Sequence, residues 1–109
     1  MPKNTEFHDY VVYDLMRDVP HITSRQMFGG WGIYRDGIIF AIITGGVLYF
    51  KTDDVNQKRF EEAGSAPFTY QNKGKTVALP YWNVPERVME DPDELFAWIE
   101  TSCDVARRR

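Results

Sequence analysis

The 109-residue chain is poor in the residue types that carry most protein chemistry. It has one cysteine and two histidines, and no excess of positive charge, since 13 Lys and Arg stand against 16 Asp and Glu. A solitary Cys103 makes no internal disulfide, and His8 and His21 lie far from it in sequence. Nothing spells a zinc site, so neither a metal nor a cofactor is expected. The formal charge of −3 argues against a surface wholly given over to nucleic acid, which draws on clustered Lys and Arg. Long apolar runs are missing too. The richest aliphatic stretch, Ile38 to Ile43, falls far short of the roughly 20 residues that span a bilayer. Met1 to Asp18 lacks the apolar core and small-residue cleavage site of a signal peptide. These absences predict a cytoplasmic protein with no membrane partner.

What is present suffices for one domain. A hydrophobic fraction of 43% with 15% aromatics exceeds what a disordered chain carries, and 27% charged is near the globular average. At this length folding buries about two-thirds of the chain's surface. No linker, repeat or low-complexity segment divides the sequence, so a single domain over residues 1–109 is expected.

Phe7, Val11, Val12, Leu15, Met16 and Val19 fall on one arc of a helical projection, which predicts an amphipathic helix from Thr5 to about Asp18, stopped by Pro20. Strands follow, punctuated by the turn pairs Asp36-Gly37 and Gly45-Gly46, which predict a three-stranded antiparallel meander. Its middle strand is apolar on both alternating faces, Ile38, Phe40 and Ile42 against Ile39, Ala41 and Ile43. A helix or a partner should therefore cover each side of the sheet. Thr52, Asp53 and Asp54 offer caps for a second helix with Val55, Phe60 and Ala63 on its apolar side, ended by Gly64. A hairpin turns at Asn72-Lys73-Gly74, and Pro80 should confine its second strand to an edge or end its ladder. Asp91 and Pro92 then open a third helix with the stripe Leu95, Phe96, Ile99, Cys103 and Ala106. The order is that of an α+β domain: helix, meander, helix, β-hairpin, helix.

Two groups of residues are candidates for function. In the first, a candidate interaction loop, Arg25 precedes Met27 and Phe28 and then Gly29 and Gly30, whose missing Cβ atoms let backbone approach backbone or ligand. The structural alternative packs Met27 and Phe28 in the core and uses the glycines to bulge a strand. A phosphate loop is set aside, because these glycines lead into a strand and not a helix N-terminus. In the second, Tyr34, Arg35, Tyr49, Lys51, Tyr70, Lys73 and Lys75, with Lys58 and Arg59 nearby, interleave aromatic rings and positive charge as a nucleic-acid surface would. Against that, Asp53, Asp54, Glu61 and Glu62 are interspersed, and lysine commonly protects strand edges.

No catalytic residues stand out. His8 lies on the apolar arc as a packed or rim histidine, His21 with Ser24 lacks an orienting carboxylate, and Cys103 lies on a buried stripe. Glu86 to Asp104 holds seven carboxylates against Arg87 alone, a solvated helix face with its caps or a surface for a basic partner.

The run from Arg25 through Met27, Phe28, Gly29, Gly30, Gly32 and Tyr34 to Asp36-Gly37, with Leu48, Tyr49 and Lys51 after it, resembles the opening signature of the TfoX (Sxy) N-terminal domain family. Phe60 to Tyr70, Val84-Pro85-Glu86 and Asp91-Pro92 with Glu94 and Leu95 continue the resemblance in order, so that it covers Phe7 to Ala106. It implies an α+β fold of the secretion-chaperone-like kind. Members with a further C-terminal helix-hairpin-helix domain regulate natural competence with the cyclic-AMP receptor transcription factor, so the resemblance implies a stand-alone N-terminal-type module. The expected function is a non-enzymatic regulatory or adaptor role through protein–protein recognition, with a transcription factor among the partners implied and weak homodimerisation from the fold type. Direct nucleic-acid binding through the Arg25 loop and the Lys/Tyr surface is the alternative.

Overall fold

The structure, a computed structural model, describes residues 3–27 and 29–108, so Phe28 of the candidate interaction loop lies outside the described residues. Helix α1 (Lys3–Asp9) runs on as a π-helical segment (Tyr10–Leu15), closed where the Met16 N–H donates to the Val11 carbonyl at 3.0 Å, five residues back. The predicted arc is the one buried. Val11, Val12, Met16 and Val19 are in the core, and Phe7 and Leu15 pack half-buried against it.

Strands β1 (Ile22–Met27), β2 (Gly30–Arg35), β3 (Ile38–Thr44), β4 (Val47–Lys51), β5 (Pro67–Asn72) and β6 (Lys75–Asn83) form an antiparallel sheet in the order β1-β2-β3-β4-β6-β5. The turns Asp36-Gly37, Gly45-Gly46 and Lys73-Gly74 hold both residues at positive φ, between 54° and 80°, the backbone that joins twisted antiparallel neighbours tightly. The architecture is α+β, as the element order predicts. The meander has four strands where three were expected. Ile22–Met27 pairs with β2 along its length although its polar residues carry no apolar alternation, which an edge strand does not need.

Further differences have local causes. Pro80 lies inside β6, which is flanked by β4 and β5 and is no edge. It sits where the β4 ladder has ended at Lys51↔Tyr81 and the β5 register shifts between Pro67 and Thr69, so no partner waits for its missing N–H. Its carbonyl accepts from the Thr52 N–H at 2.8 Å. Asp53 and Asn56 spend their side chains on the turn before α2 (Gln57–Glu62), accepting from the Val55 and Asp53 N–H groups, so the helix starts later than predicted and Val55 is exposed. A short α3 (Glu86–Met89) precedes α4 (Pro92–Arg107), whose cap is as expected: the Asp91 carboxylate accepts from the Asp93 and Glu94 N–H groups. Phe96 on that helix is 45% exposed, and Trp98 takes its place in the core.

Helices α1 and α4 share one side of the sheet. Phe40 and Phe50 meet beneath α4 with ring centres 5.8 Å apart, and Trp98 packs edge-on against Phe60 at 4.6 Å. No described element lies over the other side, so helices of the chain cover one face only. Among the described residues no helix is long and apolar enough to cross a membrane.

Candidate functional site

Because partners across an antiparallel ladder share a face, the chain of pairs Arg25↔Gly32, Gly32↔Ile42, Ile42↔Tyr49 and Tyr49↔Asn83 marks one row across the uncovered side. Alternation along each strand adds Met27, Tyr34, Lys51, Tyr81 and Leu79 to the same face. Gly32 is the low point of the row. A Cβ there would lie 2.8 Å from Met27 Cε and 3.0 Å from Ile39 Cδ1, so the two side chains meet over the space that glycine leaves. From this floor the surface rises to the β5–β6 hairpin. Met27, Ile39 and Ile42 on one flank and Phe68, Tyr70, Leu79 and Tyr81 on the other line one cavity of about 570 Å³, within the size range of ordinary ligand pockets.

The aromatic flank is organised. Phe68 stands edge-on to Tyr49 at 5.3 Å and is stacked with Tyr70 at 6.4 Å, while the Lys51 Nζ lies 5.4 Å over the Tyr81 ring. Burial pushes the Tyr49 phenol above its ordinary pKa. Tyr70, by contrast, is 42% exposed.

The residues marked in the sequence divide between the two faces. Arg25 is exposed on strand β1 and not on a loop, and Met27 reaches the cavity floor. Gly29 turns the chain at φ 77°, and Gly30 lets β2 approach β3, since a Cβ there would stand 2.0 Å from the Ile43 carbonyl oxygen. Tyr34, Tyr49, Lys51 and Tyr70 belong to the open side, and Lys73 and Lys75 stand exposed at the tip of the β5–β6 hairpin. Arg35 is the exception. Its side chain crosses to the helix side and pairs with Glu100 of α4, whose hydrogen bond raises the guanidinium pKa further. Sequence reasoning passed over Ile39, Ile42, Phe68, Leu79 and Tyr81, although the two-faced apolar pattern of β3 and the alternation in β5 and β6 were visible.

Each histidine has a carboxylate beside it, contrary to the expectation for His21, whose exposed ring has Nδ1 3.9 Å from the Asp36 carboxylate. His8 is 3% exposed, stacked at 3.8 Å on Trp31, with Nδ1 2.8 Å from the Asp9 carboxylate and Nε2 2.7 Å from the Ser24 hydroxyl. Ser24 thus meets His8 and not His21, and the contact ties α1 to β1 next to Trp31, which also lines the cavity. Cys103 is buried, and burial pushes its thiol pKa up despite the nearby Arg35. Among the described residues no group of three or more His, Cys, Asp or Glu is placed to hold a metal ion.

Residues 14–106, most of the chain, match the family described as the TfoX N-terminal domain. The chain belongs to that family. It is 25% identical over 95 residues to the DNA transformation protein TfoX1 of Aliivibrio fischeri, covering 87% of this chain and 46% of that protein. It is 26% identical over 85 residues to the protein Sxy of Escherichia coli, covering 78% of this chain and 41% of the other. The chain therefore spans less than half the length of these curated relatives. In this TfoX N-terminal domain the glycine signature does architectural work, since Gly30 draws two strands together and Gly32 opens the floor on which the cavity stands.

Proposed function

We propose that this domain is a non-enzymatic, cytoplasmic regulatory or adaptor module that works by holding a protein partner on its open sheet face. One observation carries the reading: the cavity of about 570 Å³ lies on the side of the sheet that no described helix covers, and its lining is almost wholly apolar. Continuous apolar surface of this kind marks recognition sites. The cavity lining holds no His, Cys, Asp or Glu, which supports a binding role for this face over a catalytic one. The name of the Aliivibrio fischeri relative points to DNA transformation as the process, and a transcription factor is the class of partner that the family resemblance implies.

The test is capture of partners from cell extract on immobilised domain, comparing wild type with Ile42→Glu on the cavity floor and Tyr13→Ser on the helix side. The reading expects the first variant alone to lose its partners while both keep the wild-type circular dichroism. Equal capture by wild type and Ile42→Glu would overturn it.

Nucleic-acid binding is the second reading, favoured by the placement of Tyr34, Tyr49, Tyr70 and Lys51 on one face. The ring of Tyr49 is closed off edge-on by Phe68, which removes a stacking platform. An oligonucleotide affinity that falls steeply with salt would decide for this reading.

A further inference from the structure

Charge is sorted between the two sides of the sheet. No Asp or Glu occurs in any of the six strands, whereas Arg25, Arg35, Lys51 and Lys75 do. On the helix side cations meet carboxylates: Arg35 with Glu100, Arg87 with Glu94, Arg107 with Asp104 and Arg108 with Asp53. On the open side Arg25 and Lys75 are exposed and enter none of the ion pairs among the described residues. The apolar floor is thus bordered by positive side chains that enter no ion pair among the described residues.

We infer that the occupant of this face is an amphipathic helix of a partner protein, with an apolar stripe flanked by Asp and Glu. The inference rests on the open-face reading and adds the chemistry of the partner. A helix suits the face because backbone groups there are already spent in the strand ladders. An extended segment laid there would find no N–H or C=O to bond, whereas a helix satisfies its own. Such a helix supplies the layer that the two-faced apolar β3 lacks, opposite α1 and α4. Acidic flanks follow from the unmatched Arg25 and Lys75 and from the absence of any strand carboxylate that would repel them. The same charge argues against a second copy seated face to face, since two cationic borders would then oppose each other.

Labelled peptides of about 18 residues, five helical turns, test this. One carries a leucine stripe with Glu flanks, one the same stripe with Lys flanks, and one scrambles the first. Fluorescence anisotropy should show the Glu-flanked peptide binding at least about tenfold tighter than either control. The double variant Arg25→Glu, Lys75→Glu should erase or reverse the preference with an unchanged melting temperature, because both side chains are exposed. Absence of binding, equal binding of the Lys-flanked peptide, or displacement by an oligonucleotide of roughly 20 nucleotides overturns the inference. So does a particle of twice the 12.7 kDa chain mass in light scattering that Ile42→Glu dissolves. If the peptides fail while Ile42→Glu still abolishes partner capture, the acidic helix is wrong and the open-face reading stands. If capture survives in Ile42→Glu, the reading beneath it fails as well.

Discussion

At Gly30 one methyl group decides whether two strands can meet. A Cβ 2.0 Å from a backbone carbonyl oxygen has no flexible neighbour to push aside, so Gly30→Ala must separate β2 from β3. The expected cost is about 3 kcal/mol, seen as a melting temperature lower by roughly 15 °C in thermal denaturation. Gly29→Ala meets nothing within 4 Å and suffers only the left-handed backbone, about 1–2 kcal/mol. The ordering of the two variants is the check, and a milder Gly30→Ala would contradict the close approach. Close backbone approach holds at Gly30 alone, whereas Gly29 serves the turn through its left-handed backbone. Arg35 was misassigned for a reason equally local: neighbours in a strand point to opposite faces, so Tyr34 and Arg35 cannot share a surface, while Tyr49 and Lys51, two apart, do. Ser24 was credited to His21 by proximity in sequence, but the helix brings His8 over it from 16 residues away.

Among the elements, α4 shows how periodicity can mark the right helix and misjudge its inner edge. Leu95, Ile99, Cys103 and Ala106 are buried as predicted, but the stripe turns toward Trp98, Ser102 and Val105 and leaves Phe96 outside. A helix packed on a twisted sheet buries a broad arc, and the residue at its margin depends on what faces it, here Phe60 of α2. Trp98→Ala should therefore cost about 3–5 kcal/mol in urea denaturation and Phe96→Ala less than about 0.5. Similar losses for both would place the helix differently. Pro80 belongs to the same scale. The sequence marks it as a ladder breaker, and only the pairing pattern reveals a gap between two ladders where a central strand tolerates it.

For the whole molecule, three of the turns, most of the buried arcs and the order of elements apart from β1 and α3 could be read from residue pattern alone, because each is set by neighbours a few positions apart. Which side of the sheet stays bare could not, since that depends on α1 and α4 choosing the same face. The both-sided apolar β3 was the one trace of it. Burial also shapes the response of the domain to pH. Cys103 and Tyr49 both have pKa values raised by burial, so the folded state holds their protons more tightly than the unfolded chain. Their contribution to stability is complete below the unfolded thiol value of about 8.5 and is lost as pH rises toward the native values. The urea midpoint should fall between about pH 7 and about pH 10, and less so in Cys103→Ala. An unchanged slope in that variant would remove the thiol from the account.

The central claim is that the bare face is where this domain meets its partner. Methyl-labelled protein titrated with the Glu-flanked peptide reports on it directly by nuclear magnetic resonance. The account predicts shifts at the methyls of Met27, Ile39, Ile42 and Leu79, with Val12, Met16 and Ile99 on the helix side unmoved. Shifts confined to the helix side, with the cavity methyls silent, would contradict it.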